Sequence, residues 1–349
     1  MEISYSIALL CVESAGKGFF PLGMRYKWDV DIALTPLPLL LTGDPVSLIM
    51  KASALTGPQR GRFRLPVLIS SLGGPMQPFF QTDDGAFTLY EGDCRELLSG
   101  LPEASVDLIF ADPPYNLSNG GTTCYAGRRA PVDKGAWDRS AGTEADHLFH
   151  QQWLAACLRV LKPSGTIWVS GTHHAIFSIG YAMQTLGYHL LNVVTWTKTN
   201  APPHLACRMF AHSSELLIWA APQRGPRLLH TFHYDDMKDE NGGKQMRDIW
   251  GFNPDDDETI PGGIWPIPTP PRREKRHGKH PTQKPLELLR RIVRACTNPG
   301  DIVLDPFNGS GTTGLAALEY GCRYIGIERE PMYLELSTRR VCDVLPQAV

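Results

Sequence analysis

None of the eight cysteines, at positions 11, 94, 124, 157, 207, 296, 322 and 342, belongs to a Cys-x-x-Cys pair. Their absence excludes a zinc ribbon and a dithiol redox centre, and scattered single thiols suit a reducing cytoplasm. The longest apolar stretch near the start, Ile32 to Met50, is broken by Pro36, Pro38, Asp44 and Pro45. It cannot supply the roughly 20 unbroken apolar residues of a transmembrane helix. Glu2 and the lack of a basic segment ahead of an apolar one argue against a secretory signal. Net charge is nearly absent too: 34 basic against 36 acidic residues leave −2. That excludes attachment to nucleic acid by bulk charge, while a local basic groove stays open. No internal repeat is visible. What is present is a chain of 349 residues, 42% hydrophobic and 20% charged. It is long enough for one large domain or two ordinary ones, and apolar enough for a buried core.

Residues 1–80 read differently from the rest. They hold eight prolines, seven basic and five acidic residues, with neither a helical period nor clean alternation. They are either a small accessory extension or an N-terminal leader without a fold of its own, with Met76 as an alternative start. The second reading is favoured, because composition alone does not make a module. Residues 81–349 are the expected functional domain.

From Phe87 onward, strand and helix signals alternate. Strands are expected over Ala86–Tyr90, Val106–Ala111, Thr166–Ser170, Leu190–Trp196, Leu216–Ala220, Ile302–Asp305 and Tyr324–Glu328. Helices are expected over Cys94–Ser99, His147–Leu161, Ile176–Leu186, Pro285–Thr297 and Thr312–Tyr320. That rhythm predicts an open, mostly parallel α/β sheet. Residues 221–279 interrupt it, being polar, Pro/Gly-rich and irregular; they read as an insert that contacts a partner.

In such sheets ligands bind beyond the carboxyl ends of the strands. One such end is Asp305-Pro-Phe-Asn-Gly-Ser-Gly-Thr-Thr313, a glycine turn opening a helix. Gly309 and Gly311 allow close backbone approach, and the helix start offers free N–H groups. Glu328 ends the following strand, where a carboxylate suits ribose hydroxyls. No lysine follows the glycines, so this is not a P-loop, and Asp305 suggests a cationic ligand rather than a pyrophosphate. The other end is Asp112-Pro113-Pro114-Tyr115-Asn116. Two prolines stiffen the backbone so that the Asp112 carboxylate and the Pro113 carbonyl point outward beside an aromatic ring. An exocyclic amine with its lone pair delocalised into a ring needs two such acceptors, and Tyr115 can stack on an extruded base. Taken singly, each segment also suits a plain structural turn.

Together these motifs resemble the S-adenosylmethionine-dependent DNA amino-methyltransferases that act on adenine N6 or cytosine N4. Asp112-Pro-Pro-Tyr115 resembles their catalytic motif, Asp305 to Thr313 their cofactor motif, and His280-Pro-Thr-Gln-Lys-Pro285 the segment preceding it. The resemblance covers about residues 86–340. It implies a circularly permuted, Rossmann-like fold with a mostly parallel seven-stranded sheet, the catalytic motif preceding the cofactor motif, and target recognition in residues 221–279. It implies a cofactor pocket of Asp93, Asp112, Thr282, Lys284, Asp305, Phe307, Asn308, Gly309, Ser310, Gly311, Thr312 and Glu328, with Asp112, Pro113, Pro114 and Tyr115 catalytic. Asp rather than Ser before Pro-Pro-Tyr leans toward adenine N6. Phe110–Gly121, Val132–Asp138, Tyr234–Lys238 and Gly243–Asp248 are similar to the second, DpnA-type adenine methyltransferases of GATC restriction–modification systems, which accept single-stranded as well as duplex DNA. The partners so implied are DNA, a cognate restriction endonuclease and a second copy of the chain. Residues 1–80 have no counterpart in that pattern.

Phosphate contacts require concentrated cations, since residues 81–349 carry −4. Arg272, Arg273, Lys275, Arg276 and Lys279 form one run, and Arg128 and Arg129 follow the catalytic motif. Each also reads as a plain solvated stretch. Lys244, Gln245 and Arg247 suit major-groove edges. Asp255-Asp-Asp-Glu258 reads as a solvated loop, because methyl transfer needs no metal, and His173-His174 as loop residues beside the base pocket. The rival readings are cytosine N4 methylation, an Asn-Pro-Pro-Tyr type glutamine or RNA methyltransferase, and a catalytically silent DNA-binding module.

Overall fold

The computed structural model describes residues 76–125, 128–198, 201, 203–222, 229–250, 267 and 269–345. The bulk of the N-terminal stretch (1–75) and the acidic segment 255–258 lie outside the described residues.

The described residues form eleven strands and seven α-helices, in chain order: β1 Phe80–Gln81, β2 Phe87–Glu91, α1 Cys94–Gly100, β3 Val106–Ala111, β4 Thr122–Tyr125, β5 Arg128–Pro131, α2 Thr143–Val160, β6 Leu161–Gly171, α3 Ile176–Leu186, β7 Tyr188–Thr197, β8 Ser214–Pro222, α4 Tyr234–Glu240, β9 Ile249–Trp250, α5 Leu286–Cys296, β10 Ile302–Asp305, α6 Thr312–Glu319, β11 Arg323–Glu328 and α7 Pro331–Val344. The main sheet has the order β1-β2-β11-β10-β3-β6-β8-β7-β9. The seven expected strands form its body, and two-residue strands at the edges bring it to nine. β2, β11, β10, β3 and β6 run parallel, whereas β8 is antiparallel to both β6 and β7.

Helices cover both faces, which is why the strands read as near-continuous apolar runs. Period-two alternation sorts one strand between two cores: Leu108 and Phe110 of β3 enter the cluster under α5, α6 and α7, while Ile109 and Ala111 enter the one under α1, α2 and α3. Helix α6 lies unusually close to the sheet. A Cβ at Gly314 would come within 2.4 Å of the Phe87 ring and 2.7 Å of Tyr324, so only glycine fits there.

Three elements depart from the sequence reading. Helix α7 was not expected: buried Ser337 and Arg340 interrupt its apolar stripe and hide the helical period. Among the described residues the β4–β5 ribbon forms a two-stranded sheet of its own, apart from the main sheet. The insert 221–279 is not wholly irregular, for it contains α4, and β9 extends the sheet beside β7. Among the described residues no helix is long and apolar enough to cross a membrane.

Candidate active site

The chain bends sharply where β3 ends. Asn116 sits in the left-handed region at φ +60°, a conformation that asparagine tolerates better than most side chains. A buried carboxylate holds the bend: Asp138, 1% exposed, accepts the N–H groups of Tyr115, Asn116 and Leu117 at 3.0, 2.9 and 3.0 Å and the Ser118 hydroxyl at 2.9 Å. Asp112 is thereby fixed at the sheet edge. Its Oδ1 accepts from the Tyr115 hydroxyl at 2.5 Å and the Ser170 hydroxyl at 2.6 Å, and its Oδ2 from Lys284 Nζ at 2.6 Å. The Tyr115 ring is buried, and burial together with Asp112 and Glu215 pushes its phenol well above the ordinary value. In this state the phenol serves as a donor that orients Asp112, and its ring is not open for stacking.

Lys284 is itself buried and lies 3.5 Å from Glu215 Oε2; Glu215 Oε1 holds Lys198 at 2.5 Å. Burial pulls the Lys284 ammonium down, but Asp112 and Glu215 outweigh it and hold the lysine above its usual value. Burial raises Glu215, yet the two lysines bring it below the usual carboxylate range. Four alternating charges therefore form one chain behind the Asp-Pro-Pro turn.

The glycine turn after β10 forms the facing wall. Gly309 and Gly311 have φ of +50° and +72°. Asp305 Oδ1 accepts the Phe307 N–H at 2.9 Å, and Oδ2 the Thr313 hydroxyl at 2.6 Å. Burial nevertheless pushes Asp305 up to about 7, with Asp112 and Glu328 adding to the rise. Glu328 ends β11 and accepts the N–H groups of Gly309, Arg329 and Glu330 at 2.8, 2.8 and 3.0 Å; burial raises its carboxyl too. Helix α7 braces the turn from behind, with Arg340 donating to the Ser310 carbonyl at 2.5 Å and to Thr312 Oγ1 at 2.9 Å.

Between the walls lies a cavity lined by Asp93, Asp112, Thr282, Lys284, Asp305, Phe307, Asn308, Gly309, Ser310, Thr312 and Glu328. Of the expected pocket residues, Gly311 alone does not line it, although it shapes the turn. Asp93 spends its carboxylate on the Arg95 backbone and guanidinium. Pro114, Trp137, Phe149, His280 and Tyr333 are also among the lining residues. His280 packs parallel to Trp137 and edge-on to Tyr333, and burial takes its imidazole down to about 3, so it is neutral.

Asp138, Ser170, Lys198 and Glu215 were not identified from sequence. Glu215 escaped because β8 is antiparallel: its first residues, not its last, reach the edge where the other strands end. Asp138 stands 23 residues from Tyr115 in a stretch known only by resemblance.

The cations are dispersed. Arg272 and Arg273 are exposed on a 3-10 turn, Arg272–Lys275, whose Glu274 caps α5 by accepting the Leu286 N–H at 3.1 Å. Lys275 is half-buried, Lys279 is exposed, and Arg276 pairs with Asp343 of α7. Arg128 is exposed at the start of β5, with Arg129 beside it in the ribbon. Lys244, Gln245 and Arg247 lie in the α4–β9 loop, where they line a second, aromatic cavity with Trp168, Trp219 and Trp250. His173 and His174 follow β6, and His173 stacks on His212.

Comparison with known proteins agrees with this arrangement. A family model described as DNA methylase matches residues 106–339. Type II methyltransferase M2.MboI of Moraxella bovis is 44% identical over 272 residues, covering 78% of this chain and 93% of the relative. Type II methyltransferase M2.DpnII of Streptococcus pneumoniae is 44% identical over 253 residues, covering 72% and 88%. Among solved structures, the cytosine-N4-specific PvuII DNA methyltransferase shares the fold at a TM-score of 0.53 and 19% identity, over 75% of this chain and 88% of that one. A DNA modification methylase from Thermus thermophilus aligns at a TM-score of 0.50 and 26% identity, over 74% and 96%. A relative at 44% identity across most of both chains, matched by the family model over the segment that builds the cavity, leaves one conclusion: the chain belongs to the N6/N4 DNA methylase family and is a DNA methyltransferase.

Proposed function

We propose that the protein transfers a methyl group from S-adenosylmethionine to adenine N6 in DNA, at GATC sites and on single strands as well as duplex. One observation carries the reading: Asp112 is held rigidly at a strand end, with its carboxylate facing a cavity whose opposite wall bears Asp305 and Glu328. The lining fits the cofactor. The carboxylates of Asp112, Asp305 and Glu328 suit an adenosyl group with a sulfonium charge, and Phe149, Phe307 and Tyr333 suit its flat and aliphatic parts. When bound, S-adenosylmethionine supplies an electrophilic methyl group. Glu328 would bind the ribose, Asp305 and the turn from Phe307 to Thr312 the methionine end, with Asp93, Thr282 and the buried Lys284 lining the rest of the pocket.

The chain's own residues then orient the acceptor. Asp112 Oδ and the Pro113 carbonyl accept the two amino hydrogens of an extruded base, which draws its lone pair out of the ring toward the methyl group. Ser170 and Tyr115 hold the carboxylate plane through Oδ1. Asp in place of Ser supports adenine over cytosine. Relatives named as Type II methyltransferases support a restriction–modification role; a cognate endonuclease, a homodimeric form and a cytoplasmic location follow from the resemblance to GATC methyltransferases and are part of the same proposal. Arg128, Arg129, Arg272, Arg273, Lys275, Arg276 and Lys279 serve as phosphate contacts, and Lys244, Gln245 and Arg247 as base readers. Residues 81–349 carry the activity, with target recognition in 221–279.

Tritiated-methyl transfer to a GATC duplex tests this directly. Wild type should label adenine N6, and Asp112→Ala should bind cofactor yet transfer nothing. Equal labelling by both proteins would remove Asp112 from the chemistry, and label on cytosine N4 would overturn the base assignment.

A further inference from the structure

Both oxygens of Asp112 are engaged, Oδ1 by the Tyr115 and Ser170 hydroxyls and Oδ2 by Lys284 at 2.6 Å, so an incoming amine has to compete with the ammonium for Oδ2. The two side chains are only 6% and 13% exposed, for Lys284 and Asp112 respectively, so water has little access to either partner. Among the described residues a second carboxylate lies within reach of the ammonium, Glu215 Oε2 at 3.5 Å. Glu215 reaches this point because antiparallel β8 begins at the edge where β3 ends. Its other oxygen is anchored by Lys198, and Oε2 faces both Lys284 and the Tyr115 hydroxyl, each at 3.5 Å.

We propose that Lys284 is a displaceable stand-in for the target amine, and that Glu215 is the positioning residue that draws it off Asp112 when the base arrives. Movement of the ammonium by about an ångström exchanges one carboxylate for the other. The ion chain Asp112–Lys284–Glu215–Lys198 stays electrically balanced throughout, so a neutral base enters without creating an unpaired buried charge. Lys284 keeps the acceptor oxygen of Asp112 satisfied, and so prevents it from collapsing onto another donor. The groups facing Lys284 are Asp112 and Tyr115 from the turn after β3 and Glu215 from β8, with Lys198 behind Glu215 and His280 on the lysine's own loop.

The inference rests on Asp112 accepting the amine, and its test separates the two. Single-turnover methyl transfer, cofactor affinity and thermal melting are measured for wild type, Glu215→Gln, Lys284→Met and the double variant. Glu215→Gln strands Lys284 on Asp112. It should slow transfer about tenfold to a hundredfold, the range of one charge-assisted hydrogen bond, while leaving cofactor affinity unchanged. Adding Lys284→Met frees Oδ2, so the double variant should be faster than Glu215→Gln alone. A merely structural glutamate predicts the opposite ranking, because two lesions in one packed network do not cure each other. Wild-type rates in Glu215→Gln, or a double variant no faster than it, would overturn the proposal. If Glu215→Gln does not fold, Glu215→Asp is read by the same ranking. Failure of wild type to methylate adenine would instead sink the underlying reading.

Discussion

Asp305 offers the most quantitative test of the pocket. Its carboxyl is pushed from an ordinary value of 3.8 up to about 7, chiefly by burial, although Thr313 and the Phe307 N–H both donate to it. Three units correspond to about 4 kcal/mol between the two protonation states. Because the folded value is raised, the associated stability is fully present below the unfolded value near 4. It is lost as pH rises through about 7. Asp305→Asn, equal in size and uncharged, should therefore stabilise the free protein by up to about 4 kcal/mol at pH 8 and change it little at pH 4. For a cationic cofactor the consequence is opposite in sign. Binding should require the ionised form, so the dissociation constant should tighten about tenfold per pH unit up to about 7 and level off above it. Calorimetry in buffers of differing ionisation enthalpy should then detect one proton released on binding near pH 6. Denaturant melts at pH 4 and 8 provide the stability arm. Flat affinity from pH 5.5 to 8.5, together with equal effects of Asp305→Asn at both pH values, would refute the reasoning.

Asp138→Ala removes the shared acceptor of three N–H groups and should cost about 2–5 kcal/mol in urea unfolding; the rate of transfer should fall more than cofactor affinity. A Cβ on Gly311 would approach Ser337 Oγ to 1.9 Å at a φ of +72°, so Gly311→Ala should lower the melting temperature and weaken cofactor binding, and Ser337→Gly should recover part of the loss. Replacing Arg272 and Arg273 by glutamine should reduce the slope of log affinity against log salt by about one unit per lost phosphate contact, with little change in single-turnover rate at saturating DNA. A chain beginning at Met76 should transfer methyl groups as fast as the full-length protein in the same tritium assay.

The strands bearing Asp112, Asp305 and Glu328 were legible because each is an apolar run ending in a carboxylate, and parallel strands bring such ends to one edge. Val106–Ala111, Ile176–Leu186 and Ile302–Asp305 were located to the residue, since clear turn residues flank them. The rule that found these carboxylates is also what concealed Glu215: a strand running the other way delivers its beginning to that edge, and direction is set by pairing partners far off in sequence. Asp138 was illegible for a related reason. Its worth lies in three N–H groups more than twenty residues away, and no local periodicity records that. Arg340 and Ser337 defeated the reading of α7 because a helix that braces a polar turn must bury polar side chains.

The knot at Asp138 has a consequence for how such enzymes diversify. Beyond the hydrogen bonds to residues 115–118, the Ser118 hydroxyl accepts the Lys134 N–H at 2.8 Å and the Gly121 carbonyl the Val132 N–H at 2.9 Å, so the intervening ribbon is tied off at its base. Residues spliced between those ties are expected to leave in place the hydrogen bonds that hold Asp112. The ribbon is in that sense a cassette: its length and charge can be rewritten by mutation, and the chemistry beneath it inherited intact.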